Sequence, residues 1–143
     1  CFIESLHIEK PVLCGFSDGA IITLLVALKR QDLLSAIVLC GANLSPKGLT
    51  GSARREIKSL YKKTNSPLVE MMLLEPDIAP DKLRSINLPA LVCAGSKDMI
   101  KPKETQTIAD HLPQATLHIF EGETHRSYVE HTDKLAPVLR KFL

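Results

Sequence analysis

No stretch of this sequence is apolar for the roughly 18–20 residues that a membrane-crossing helix needs. The longest apolar run, Ala20 to Leu28, is interrupted by Thr23 and ends on Lys29-Arg30, as a buried helix in a globular protein would. Charge of one sign is also scarce. The net charge of +2 is too small to argue for a nucleic-acid partner or a membrane surface. Basic residues gather only at Arg54, Arg55, Lys58, Lys62 and Lys63, which reads as one solvated helix face. Internal repeats and low-complexity segments are absent, which excludes a repeat array. The four cysteines have no CxxC or Cys/His metal spacing, which argues against a zinc site. Cys14, Cys40 and Cys93 each sit near the end of an apolar run. They read as small buried thiols, a usage that fits a reducing, cytoplasmic setting. Nothing resembles a secretory signal. The first residue is a cysteine, so an upstream segment is expected.

What is present suits one domain with one core: 143 residues, 45% hydrophobic and 24% charged. Cys1 to Leu6 reads as the tail of a helix. Four apolar runs read as buried strands: Pro11 to Cys14, Ser35 to Cys40, Pro89 to Ala94 and Thr116 to Phe120. The first three are each closed by a glycine, and the fourth precedes Gly122. Ile21, Leu24, Leu25 and Leu28 fall at helix spacing, and further helices are expected at Lys103 to Leu112 and Ser127 to Leu143. Continuous apolar strands separated by helices predict an α/β fold, a parallel sheet covered by helices on both faces. Only Asn43 to Arg84 breaks the rhythm. Its prolines and glycines, charged helix and Met71-Met72-Leu73-Leu74 run predict a short lid-like excursion over 43–84.

Gly15-Phe16-Ser17-Asp18-Gly19 lies between the first strand and the helix that follows. A serine there projects its hydroxyl from a tight turn, and the two glycines let backbone and helix approach closely. Ser17 also stands at a helix N-terminus, where free N–H groups and the helix dipole stabilise negative charge. The Asp18 backbone N–H would then donate to the oxyanion of an acyl-transfer intermediate.

A serine hydroxyl is a weak nucleophile without a positioned base. Among His7, His111, His118, His125 and His131, the first candidate is His125. It follows the last strand through Glu121-Gly122-Glu123-Thr124, at the edge where parallel sheets gather their chemistry. His131, in the helix expected next, is the second. His118 in a strand and His111 on a helix face read as structural. Asp98, just beyond the third strand at the same edge, is the carboxylate that would fix the imidazole tautomer. Its alternative is a turn or capping role. Asp77 and Asp81, in a proline-flanked approach, and Asp110, mid-helix, compete poorly. The Asp18 side chain either complements the helix dipole or attracts a cationic substrate. Met71 to Leu74 read first as core packing and second as the lining of an apolar pocket.

Three pieces, GFSDGA at Gly15 to Ala20, LVCAGSKDMIKP at Leu91 to Pro102 and EGETH at Glu121 to His125, occur in one order and in consistent settings. On them the whole chain resembles the second half of the α/β-hydrolase superfamily, from the helix before the nucleophile strand to the final helix. Its GFSDG elbow is similar to those of small intracellular ester hydrolases, including the valacyclovir-hydrolase and biphenyl-cleavage relatives. The resemblance implies a catalytic triad in the order Ser17 nucleophile, Asp98 acid, His125 base. It implies a serine esterase for a small-molecule acyl substrate: a carboxylic ester, or a related lactone or thioester. No metal or organic cofactor is implied, and no nucleic-acid or membrane partner. Ser17 argues against dehalogenases and epoxide hydrolases, which by resemblance would carry aspartate there.

The resemblance also implies further strands ahead of the elbow, with a loop supplying a second oxyanion donor. The strand at Pro11 to Cys14 would then be internal. Its open edge is expected to be covered by an N-terminal segment or by a second copy of the chain in a homodimer. A non-catalytic binding or scaffold protein retaining the fold is the alternative from another class.

Overall fold

The fold is described for residues 2–143 in a computed structural model. A short helix, α1 (Phe2–Ser5), opens it; Cys1, expected to belong to that helix, lies outside the described residues. Then come β1 (Val12–Phe16), α2 (Asp18–Arg30), β2 (Ala36–Cys40), α3 (Gly51–Thr64), α4 (Pro67–Leu74), β3 (Ala90–Lys97), α5 (Pro102–His111), β4 (Ala115–Thr124) and α6 (Leu135–Phe142). The four strands form one parallel sheet in the order β1-β2-β3-β4. No helix among the described residues is long and apolar enough to cross a membrane.

Alternation along the central strands sorts the core into two layers. Ile37 and Leu39 of β2, with Ala90 and Val92 of β3, meet Ala20, Leu24 and Ala27 of α2 and Ile108 of α5. Val38, Cys40, Leu91 and Cys93 point the other way, towards Tyr128 and the α6 stripe of Leu135, Val138, Leu139 and Phe142. These α6 positions fall at helix spacing, so one face of that helix is apolar. Every residue of β2 is buried, as a strand covered on both faces requires.

Between β2 and β3 the chain leaves the sheet. Thr50 caps α3 by accepting a hydrogen bond from the Ala53 N–H. The helix ends at Asn65 in the left-handed conformation. Ala53 and Ile57 of α3 pack with Leu49, Ile100 and Met72 in a small cluster of their own. The Thr50 N–H donates to Met99 O and the Lys101 N–H to Gly48 O, which ties the segment to the loop beyond β3.

Three expectations need correction. β1 continues through Gly15 to Phe16, β3 through Gly95 to Lys97 and β4 through Gly122 to Thr124, because Gly15 and Phe16 pair with Leu39 and Cys40, Gly95 with Phe120 and, past a bulge, Lys97 with Thr124. The helix expected from Ser127 begins only at Leu135; residues 126–131 are turns, and His131 has φ 53°. Cys14 is exposed, not buried, because β1 is an edge strand. A hydrogen bond with Cys40 and partial shielding raise its thiol pKa, the opposite of an activated cysteine.

Candidate active site

Ser17 joins β1 to α2 with φ 55° and ψ −120°, a conformation that costs a non-glycine residue on the order of 1–3 kcal/mol. Its N–H donates to Cys40 O at 2.8 Å, and its carbonyl accepts from Ala20 and Ile21 in the first turn of α2. Strand and helix therefore hold the strained residue from both sides. The turn is tight at Gly15, where a Cβ would lie 2.1 Å from Gly19 O. Gly19 differs from the sequence expectation: a Cβ there would meet nothing within 4 Å. Close approach is required on the strand side alone.

The ends of three strands bring Ser17, Asp98 and His125 together. His125 follows β4 directly, and its Nδ1–H donates to Asp98 Oδ1 at 2.7 Å. Its Nε2 lies 3.0 Å from Ser17 Oγ. The ionised carboxylate only accepts, so the proton belongs on Nδ1 and Nε2 is left to accept from the serine hydroxyl. Asp98 is held in turn by the Ile100 N–H on Oδ1 at 2.9 Å and the Gly95 N–H on Oδ2 at 3.3 Å. The Asp98 side chain is 2% exposed and that of His125 12% exposed, so the chain is largely shielded from water. The imidazole is further held by the Phe16 ring, with centroids 5.0 Å apart.

The remaining histidines stand apart. His131 is exposed in a turn. His118 meets Phe120 edge-on within β4. His111 Nδ1–H donates to Thr107 O within α5. His7 is exposed near the start of the chain. Among the described residues, no group of three or more His, Cys, Asp or Glu is placed to hold a metal ion.

A cleft of about 390 Å³ opens over Ser17 and His125. Its apolar wall includes Ile21, Leu49, Ile57, Met72 and Ile100. Asp18, Glu56 and Glu75 also line it. Met72 and Leu73 pack into the cluster beneath α3 and α4, whereas Met71 is 43% and Leu74 67% exposed. The expectation of core packing therefore fails for Met71 and Leu74, on the outer side of the short helix α4.

Sequence reasoning missed Gly41. With φ +66°, it sits where a Cβ would lie 2.6 Å from His125 Cε1. The glycine that closes the second strand was a visible signal, but its partner, His125, lies just beyond β4. Tyr128 was missed too. It is fully buried, stacks on Phe120 and donates to Cys93 O at 3.4 Å. Burial raises its phenol pKa, with the neighbouring cysteines and Asp98 adding to the effect.

No family model matches the chain. A proline iminopeptidase of Lactobacillus crispatus is 38% identical over 63 residues, 44% of this chain and 22% of that protein. The human serine hydrolase BPHL is 22% identical over 99% of this chain and 57% of its own length. The chain thus spans well under two thirds of these curated relatives. Among solved structures, a hydrolase of Oleispira antarctica superposes with a TM-score of 0.80 at 17% identity, covering 98% of this chain and 67% of that one. An α/β fold family hydrolase of Bacillus anthracis gives 0.72 at 19% identity, covering 99% and 70%. At these identities the likeness to the solved structures is one of fold.

Proposed function

The chain has the α/β-hydrolase fold, and on that premise we propose that it is the catalytic C-terminal part of a serine hydrolase. The observation that carries the reading is the pair of distances at His125, 2.7 Å to Asp98 and 3.0 Å to Ser17. Ser17 Oγ attacks the acyl carbon while His125 Nε2 takes its proton. The imidazolium that forms is stabilised by Asp98, and the developing oxyanion by the Asp18 N–H at the start of α2. His125 then returns the proton to the leaving group as the acyl-enzyme forms. Water, activated by the same nitrogen, releases the acid. The substrate class is a small carboxylic ester or a related lactone or thioester, and an apolar cleft around the serine supports an apolar acyl or leaving group.

A second reading is favoured by Asp18, Glu56 and Glu75 in the same cleft and by the relatives named proline iminopeptidase. In it the acyl group carries a positive charge and the bond is an amide. Turnover of an activated ester against a prolyl amide separates the two. In either case Ser17→Ala and His125→Ala abolish turnover with the fold retained. Near-native turnover in either variant contradicts the assignment and leaves the non-catalytic scaffold as the reading. The free edge of β1 belongs to the same proposal: an N-terminal segment or a second copy of the chain covers it.

A further inference from the structure

His125 does not stand on a helix. The residues after it form turns, closed by the Val129 and Glu130 N–H groups on Arg126 O, and across His125 the turn is tied back to the end of β4 by one hydroxyl. Ser127 Oγ donates to Glu123 Oε2 at 2.7 Å. It accepts from the Thr124 N–H at 2.9 Å and from Thr124 Oγ1 at 3.1 Å. One donated and two accepted bonds are the full capacity of a hydroxyl. Lys134, which precedes α6, donates to Glu123 Oε1 at 2.6 Å. The chain of contacts thus runs from the start of α6 through Glu123 to Ser127. It closes on the residues on both sides of His125.

The geometry points to Ser127 as a positioning residue for the base: with Glu123 and Lys134 it clamps the turn that aims the His125 imidazole at Asp98 and Ser17. The inference rests on the triad reading above. The clamp adds what the ring contacts lack. Asp98 and Phe16 fix the imidazole once it is in place, whereas the clamp fixes the direction in which the backbone leaves β4. Each bond is exposed and individually modest, but a base displaced by a fraction of an ångström loses rate steeply. Ser127 is also where the sequence suggested that the last helix begins, and a serine bonded to nearby backbone competes with helix formation.

Ser127→Ala and Ser127→Thr in the full-length protein test the clamp. Ser127 is exposed, so both are expected to fold, and threonine keeps the hydroxyl. The first readout is the proton resonance of the His125 Nδ1–H bond to Asp98, expected far downfield because the bond is short and slow to exchange because both side chains are largely buried. It is expected to broaden in Ser127→Ala through faster exchange with water and to return in Ser127→Thr. The second is turnover, with kcat lowered about fivefold at unchanged KM in the alanine variant and restored in the threonine variant. An unchanged resonance in Ser127→Ala overturns the clamp whether or not the protein turns over any ester. A broadened resonance that threonine fails to restore overturns it as well. Absence of turnover in the parent instead counts against the hydrolase reading, while the resonance still decides the clamp.

Discussion

Gly41 and His125 compete for one space: a Cβ on the glycine would lie 2.6 Å from Cε1 of the imidazole and 2.9 Å from Nδ1. The end of β2 therefore forms the floor on which the base rests. Gly41→Ala also forces a side chain into φ +66°, a left-handed conformation that costs about 1–2 kcal/mol. We expect this variant to lose at least about tenfold in ester turnover through a displaced imidazole. Stability should fall by only the backbone cost. Parent-like turnover in a folded Gly41→Ala protein would show that the ring has room to spare.

The two glycines of the elbow should behave unlike each other. Gly15→Ala drives a Cβ into the Gly19 carbonyl. Backbone must move to relieve that contact, so we expect a melting temperature several degrees lower and a loss of activity. Gly19→Ala meets open space in a helix, where alanine is favoured over glycine by up to about 1 kcal/mol. It should melt at or above the parent temperature. Equal melting temperatures for the two variants would contradict the geometry of the turn.

Asp98→Asn preserves shape and removes the charge. Oδ1 serves both the Ile100 N–H and His125, and Oδ2 accepts from the Gly95 N–H. An amide therefore either sets its NH₂ against the Gly95 N–H or turns it towards His125 and Ile100. The imidazole loses its fixed tautomer in the second case and the ion that stabilises its charged form in both. On the pattern of such triads, kcat should fall about 10²–10⁴-fold. Steady-state kinetics on an activated ester checks this, and a loss below tenfold would assign Asp98 to the turn alone.

The outer edge of β1 has no partner strand among the described residues, and Val12, Ile22 and Leu25 are exposed near it or on α2. An unpaired edge of this kind recruits another strand. Light scattering on the 143 residues alone should therefore show association. Light scattering on the full-length protein decides between an upstream segment, which leaves a monomer, and a pairing of copies. A well-folded monomer of 15.8 kDa would contradict the proposal that this edge is covered.

The α/β fold was legible because its central strands, β2 and most of β3, are buried on both faces and announce themselves as unbroken apolar runs; the edge strands β1 and β4, expected to be buried like them, are only partly covered. Strand ends were not legible. Gly15 and Gly95 looked like terminators, but pairing with a neighbour carried β1 and β3 beyond them, and β4 likewise ran past Gly122. The last helix was read too long for a related reason. Ser127 bonds to Glu123 and Thr124, and local sequence does not reveal that the serine is occupied. In the candidate site, Ser17, Asp98 and His125 could be named because each follows a strand. Gly41, Phe16 and Tyr128 could not, since their importance lies in contacts with distant residues.

The central claim is that His125 activates Ser17. Incubating the full-length protein with a fluorophosphonate and measuring intact mass tests it most directly, because only an activated serine reacts rapidly. We predict a single adduct, mapped by peptide digestion to Ser17. It should be absent from Ser17→Ala and form at least about 100-fold more slowly in His125→Ala, the rate a lost general base costs. A parent that stays unmodified, or an adduct that persists in Ser17→Ala, would contradict the account.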